Sequence, residues 1–415
     1  MQQQLKAIDR LIHQHEIKKA EVLTAKHLRL SQSPEDRSQF LMRRARIRLL
    51  SDRPDDALSD LETILKLDNH SINRNMLLEM QGDCYLTRFE TSSVGFADRS
   101  DTVKAQNTYE TIINNSPDYA NIGWVHYQLG RIALTNNDVD RAETQIHRAL
   151  LMPSHVPPLV AYCFERLGFI AFYEHRDLFR ALGFLDKAAF TYPPHEPRAW
   201  LVQVHMLRSR VLRDMHQLNR AIGAAEKAVQ IASNAGIEAR MDLAEALMTV
   251  AELLSSVTGR EQEIVSHIQQ FLQISKKPLG VDVTWSRAHE MLGDACFALQ
   301  QYAEAIDAFN TTLQYNPYHP WSISLYYRIA RSYYQMRDYA RAIETIHQMQ
   351  SAASSEGETI DDYRVYDVLG NAQFALGNYA AAADAYQIAL DLAPANAENV
   401  AKIRTYYQYT QNLMA

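Results

Sequence analysis

The strongest constraint in this chain is a spacing that recurs. Leu292-Gly293 is followed by Tyr302, Ala305, Phe309 and Pro317, and Leu369-Gly370 by Tyr379, Ala382, Tyr386, Ala389 and Pro394. From the glycine, the offsets to the aromatic residue, the alanine and the proline are 9, 12 and 24 both times. Ile329-Ala330 keeps the same register with Tyr339, Ala342 and Ile346, and Leu129-Gly130 does so with Val139, Ala142, Ile146 and Ala149. Fixed-period self-similarity commits a chain to stacked copies of one supersecondary unit.

The residue types say what the unit is. Gly or Ala in one helix facing Ala in the next lets two backbones approach, and the large residues on either side fill the space between them. The proline, or the Asn/Ser after the second helix, stops it. With the key alanine as a marker, copies fall at Ala20, Ala57, Ala105, Ala142, Ala181, Ala221, Ala305, Ala342 and Ala382. The intervals are 37, 48, 37, 39, 40, 84, 37 and 40. The interval of 84 predicts a degenerate pair without an alanine marker near Met241–Leu272. The interval of 48 predicts an insertion of eleven residues within Arg88–Val103, read as a loop from its Ser, Thr, Gly and Asp content.

This pattern resembles the tetratricopeptide repeat, a helix–turn–helix unit, most specifically in the last three copies. The resemblance implies an all-α, right-handed superhelical solenoid. Ten helix pairs are expected to start near residues 1, 38, 75, 123, 161, 202, 241, 286, 323 and 363, with a capping helix from Ala397 to Asn412. The expected organisation is an N-terminal solenoid over 1–275, a linker at 276–285, three well-formed units over 286–395 and the cap over 396–415. Lys276-Lys277-Pro278-Leu279-Gly280 reads either as a break in stacking that leaves two rigid halves or as a longer loop.

Composition agrees. Gly and Pro together are 27 of 415 residues, a low share that suits long helices with short connections. Hydrophobic residues at 47% provide a core. The net charge of −7 gives no reason to bind a nucleic-acid backbone or an anionic membrane. The arginine cluster Arg43, Arg44, Arg46 and Arg48 reads as a solvated face. Met1-Gln2-Gln3-Gln4-Leu5-Lys6 does not read as a secretory signal, no stretch reaches 18 apolar residues, and three cysteines outside any CxxC pair suit a reducing compartment. The expected location is the cytoplasm.

No pattern for catalysis, metal or cofactor binding stands out: there is no P-loop, GxGxxG, GxSxG or HExxH. His126, His205 and His289 each precede a small marker by four residues, a slot that a neutral imidazole can fill. Expectation therefore turns to the surface. In the resembled family, first-helix positions 2, 5, 9 and 12 line the inner, concave face. That register selects Trp124, Tyr127 and Arg131; Tyr162, Glu165, Phe169 and Phe172; and Gln203, Met206, Arg210 and Arg213. In the last three pairs it selects Arg287, Glu290, Asp294 and Phe297; Ser324, Tyr327, Arg331 and Tyr334; and Arg364, Asp367, Asn371 and Phe374.

Tyr, Trp and Arg offer large rigid area and hydrogen-bond donors, as at interaction hot spots. Tyr127, Arg131, Tyr327, Arg331 and Tyr334 are expected to be exposed. Phe89 and Phe96 in the insertion are candidate recognition contacts. A carboxylate clamp of the resembled family is not expected, because Glu290 and Asp294 replace its first two donors. The resemblance implies a non-enzymatic scaffold or adaptor that binds a peptide or partner helix. The alternative is a regulatory or sensor subunit of a larger effector or signalling complex. Stacking of solenoid ends would allow homo-oligomers.

Overall fold

A computed structural model describes residues 1–67, 72–92, 99–317, 319, 322–394, 396–397 and 399–414. Among them are 21 α-helices, one short 3-10 turn and no strand. Twenty helices form ten antiparallel-type pairs. The first five are α1 (Gln2–His13) with α2 (Ile17–Leu30), α3 (Pro34–Leu49) with α4 (Pro54–Lys66), α5 (Arg74–Thr91) with α6 (Arg99–Asn115), α7 (Ile122–Thr135) with α8 (Val139–Leu151), and α9 (Leu159–Tyr173) with α10 (Leu178–Thr191). The second five are α11 (Trp200–Asp214) with α12 (Leu218–Ala235), α13 (Arg240–Leu254) with α14 (Glu261–Ile274), α15 (Val283–Ala298) with α16 (Tyr302–Tyr315), α17 (Ser322–Gln335) with α18 (Tyr339–Glu356), and α19 (Tyr363–Ala375) with α20 (Tyr379–Leu392). A last helix, α21 (Val400–Met414), packs on α20. Two compact units result, Met1–Glu196 and Pro197–Ala415, each an all-α solenoid of five pairs. The segment 276–282 lies inside the second unit, between α14 and α15, which pack on each other.

The turn inside each pair shows why the repeat keeps its register. His15, Asp52, Asn137, Arg176, His216, Gln300 and Arg337 have left-handed φ between 53° and 62°, and Gly259 and Gly377 join them at 87° and 79°. A residue of this conformation just past a helix end closes it. The next N–H then reaches back to the carbonyl five residues earlier: Arg53 to Arg48 at 2.9 Å, Asp138 to Ala133 at 2.9 Å, Gln301 to Cys296 at 2.8 Å. Asp138, Asp177 and Asp338 then cap the second helix by accepting from the N–H groups of Arg141, Arg180 and Arg341. In eight pairs the left-handed residue precedes the marker alanine by five positions. Applied to Gly259, the rule places Ile264 at the marker position of the degenerate pair, with Ile268 and Phe271 completing its buried stripe. The repeat persists there, with a larger residue at the marker.

The helix crossing differs in one respect from the expectation. The small first-helix residue lies not over the alanine alone but over the bulky residue one turn beyond it. A Cβ on Gly293 would come within 2.5 Å of the Phe309 ring, one on Gly370 within 2.6 Å of Tyr386, and one on Gly130 within 2.7 Å of Ile146. Gly82 faces Tyr109 at 2.6 Å and Gly168 faces Leu185 at 2.9 Å in the same way. The alanine keeps the backbone close, and the ring then fills the space a side chain would need. Tyr109, Phe309 and Tyr386 are fully buried, each burial being worth about 1.5–3 kcal/mol. In the cap, Ile403 buries against Ala382, Tyr386 and Ala389, covering the apolar side of the last pair.

Two expectations change. Both ends of the expected insertion are helix: α5 runs on to Thr91 and α6 begins at Arg99, and residues 93–98 between them lie outside the described residues. Phe89 is half-buried on α5, and Phe96 lies outside the described residues. Of the arginine cluster on α3, only Arg46 is solvent-exposed. Arg44 and Arg48 both clasp the buried Asp60, at 2.5 and 2.7 Å, and Arg43 pairs with Asp9 at 2.9 Å. These charges tie α3 to α4 and α1.

A paired substitution tests the crossing. Gly293→Ala forces a methyl into the Phe309 ring and should cost about 1–3 kcal/mol, outweighing the gain in helix propensity. Gly183→Ala on α10 meets nothing within 4 Å and should instead stabilise by about 1 kcal/mol. Thermal melts that shift in the same direction for both would show that the crossing does not govern stability.

Candidate functional site: the first-helix face of each unit

The register positions come together in two patches, one in each unit. In the first unit, α5, α7 and α9 supply the side chains. Trp124 and Tyr127 contact each other with ring centroids 5.4 Å apart, and Tyr127 meets Tyr162 at 6.0 Å. Arg131 lies over the Tyr127 ring at 5.9 Å, donates to Gln128 Oε1 at 2.8 Å and pairs with Glu90. Tyr127 is only 6% exposed, against the expectation of an exposed ring. The aromatic stack from α7 to α9 covers it, and burial pushes its hydroxyl up to about 12. Glu165 pairs with Arg166 at 2.7 Å, and Arg166 also lies over Phe169. Phe172 is buried between helices.

This patch has a floor that the sequence reading passed over. Asp83 on α5 accepts from the Tyr109 hydroxyl at 2.6 Å, from Gln128 Nε2 at 2.9 Å and from Trp124 Nε1 at 3.1 Å. One turn earlier, Glu79 accepts from Asn121 Nδ2 at 2.8 Å. Desolvation, and then the neighbouring Asp83, push the Glu79 carboxyl up to about 8. Desolvation also raises Asp83, against the pull of its three hydrogen bonds. Both residues stand at positions 5 and 9 of the third pair, counted from Gly82, so the same register finds them once it is carried to that pair.

In the second unit, α15, α17, α19 and α21 supply the patch. Arg331 lies over the Phe297 ring at 5.0 Å and the Tyr327 ring at 5.7 Å. Arg364 also lies over Tyr327, at 5.8 Å, and is held by Asp362 at 2.6 Å. Tyr327, Arg331 and Tyr334 are half-buried. Phe374 meets Tyr406 at 6.0 Å and Tyr409 at 5.8 Å, so the cap helix extends the aromatic surface. Asn371 is committed inside the fold: it donates to Asp367 at 2.7 Å and accepts from the Tyr386 hydroxyl at 2.9 Å. Arg287 pairs with Glu290 at 2.9 Å. Arg328 bridges Asp294 at 3.0 Å and Glu290 at 3.3 Å, so the clamp positions form an internal ion network.

On α11, Arg210 pairs with Glu245 at 2.7 Å and Arg213 with Asp214 at 3.2 Å, while Met206 is buried. The histidines expected as packing groups include His126, which bonds Gln145 at 2.7 Å, and His289, which stacks on Tyr315. Burial lowers both imidazoles, favouring the neutral form. Cys84 and Cys163 are buried, and desolvation pushes both thiols up to about 12, which keeps them protonated and poorly nucleophilic. Among the described residues, no group of three His, Cys, Asp or Glu is placed to hold a metal ion. Nor is any described helix long and apolar enough to cross a membrane.

Two tetratricopeptide repeat models match the chain, over residues 286–319 and 327–397. Both stretches therefore carry tetratricopeptide repeats. A comparison with curated proteins finds no match. Among solved structures, the chain is similar to MamA, with 20% identity over 50% of this chain and 96% of that one, at a TM-score of 0.38. It is similar to the apo form of RapI, with 14% identity over 91% and 98% and a TM-score of 0.45. It is also similar to a signal transduction ATPase with a tetratricopeptide repeat sensor from Pyrococcus horikoshii, with 15% identity and a TM-score of 0.48, covering 92% of this chain and 56% of that one.

The raised carboxyls of the first unit set a pH dependence. A carboxyl held at about 8 in the fold, against 4.5 when unfolded, binds more protons folded than unfolded between those values. Stability then falls as pH rises through that window. Glu79→Gln keeps the acceptor for Asn121 and removes the charge. It should raise the thermal midpoint at pH 9, with the difference from wild type shrinking toward pH 5. A difference independent of pH would show that Glu79 titrates normally.

Proposed function

We propose that this chain is a non-enzymatic interaction scaffold that binds an extended peptide or a partner helix along the first-helix face of its repeats. The observation that carries the reading is the continuity of the second-unit patch. Phe297, Arg331, Tyr327 and Arg364 touch in sequence across three successive first helices. Large rings held in place by neighbouring repeats offer contact area at low entropic cost, which is what a recognition groove requires. Arginines over rings add charge and hydrogen-bond donors without needing burial in a core. A binding role also accords with what tetratricopeptide repeats generally do, namely bind proteins or peptides.

The test compares wild type with the Tyr327→Ala/Arg331→Ala/Tyr334→Ala variant in affinity capture from native lysate. The variant should keep its helical circular dichroism and melt near wild type, because none of the three side chains is fully buried. A partner held by wild type should be lost from the variant by tenfold or more. Partners that survive in full would move the binding surface elsewhere, and a variant that fails to fold would make the three residues part of the core.

A further inference from the structure

The two units carry the same small constellation, and one of them is complete. Tyr127-Gln128-Leu129-Gly130-Arg131 and Tyr327-Arg328-Ile329-Ala330-Arg331 occupy identical register positions in α7 and α17. In both, the arginine lies over the tyrosine four residues before it, at 5.9 Å for Arg131 and 5.7 Å for Arg331. In the first unit a carboxylate completes the arrangement: Glu90 pairs with Arg131 from the preceding first helix. Glu90 can reach because α5 is lengthened to Thr91.

In the second unit that carboxylate is missing for a structural reason. The preceding first helix, α15, ends at Ala298. The position matching Glu90, eight residues after the marker glycine, is Gln301, which is uncharged and sits at the N-cap of α16. Among the described residues Arg331 has no carboxylate within ion-pair distance, whereas Arg287, Arg328 and Arg364 are each paired. Asp367, on the next first helix, is held by Asn371. Arg331 is thus a half-buried cation between two rings, with its forked donors uncommitted.

We propose that Arg331, walled by Phe297 and Tyr327, is the subsite for a side-chain carboxylate, an Asp or Glu of an extended partner segment. The inference deepens the peptide-binding reading above and rests on it. The bound carboxylate takes the role in the second unit that Glu90 plays in the first. The guanidinium donates a forked pair of hydrogen bonds, and the rings exclude water from one side and strengthen them. This is a different place from the family's carboxylate clamp, whose positions here are closed by Glu290, Asp294 and Arg328.

The probe is a random dodecapeptide display library selected on the full chain. Wild type should enrich peptides with Asp or Glu at one fixed position. For a selected peptide, replacing that residue by Asn or Gln should weaken binding about tenfold or more, as expected for a charge-assisted bond. Arg331→Ala should weaken the parent peptide equally and remove its preference for the acidic form, so the two changes together cost little more than either alone. Arg331→Lys, which keeps the charge but not the fork, should restore part of the affinity. Selected peptides with no fixed acidic position, or an acidic preference unchanged in Arg331→Ala, would overturn the carboxylate subsite. If those peptides were still lost on the Tyr327/Arg331/Tyr334 alanine variant, the groove itself would stand. A library that yields no binder would overturn both.

Discussion

Five of the ten described helix pairs turn on a contact between a position with no side chain and a bulky one. Gly293 under Phe309 and Gly370 under Tyr386 are the clearest cases. The glycine has no reason to be there except that the ring needs its space. The ring cannot be smaller without leaving a cavity at the crossing. Because the marker alanine sits one turn away on the same face, both backbones are held at short range. This geometry fixes the angle within a pair, and repetition of that angle places the first helices side by side. The first-helix face is therefore a product of the crossing.

The turn supplies the second half of the device. A left-handed residue five positions before the marker ends the first helix and starts the second in the same way in pair after pair. At seven of these positions the residue is not glycine, so the fold accepts local backbone strain to keep a short connection. The constancy of the turn explains how the degenerate pair remains a repeat. Ile264 takes the place of alanine, yet Gly259 still sets the register and Ile268 and Phe271 still reach the core.

Charge on the first-helix face is mostly spent within the protein. Asp60 takes two arginines, Arg328 takes two carboxylates, and Asp83 takes three neutral donors. Such networks stiffen the face and leave few charges for a partner. An arginine without a carboxylate, like Arg331, stands out against that background. Its counterpart Arg131 shows from within the same chain what such a site accepts.

By itself the sequence determined the number of helix pairs, their order and the capping helix, because each rests on local chemistry: small and bulky residues at fixed offsets, turn residues and helix stops. It also located His126 and His289 as packing rings, which burial favours in the neutral form. What it could not determine was the fate of each polar group on the face. Tyr127 and Tyr327 share a register position, yet one is buried and the other half-exposed, because Tyr162 stacks over the first. Arg44 and Arg48 read as surface charge until α4 brings Asp60 beneath them. The lengthened α5, which carries Glu90 to Arg131, looked like a loop from its composition. Pairing and burial depend on residues 12 to 41 positions apart that meet only when helices pack within a pair or between neighbouring repeats, so the tertiary structure alone decided them.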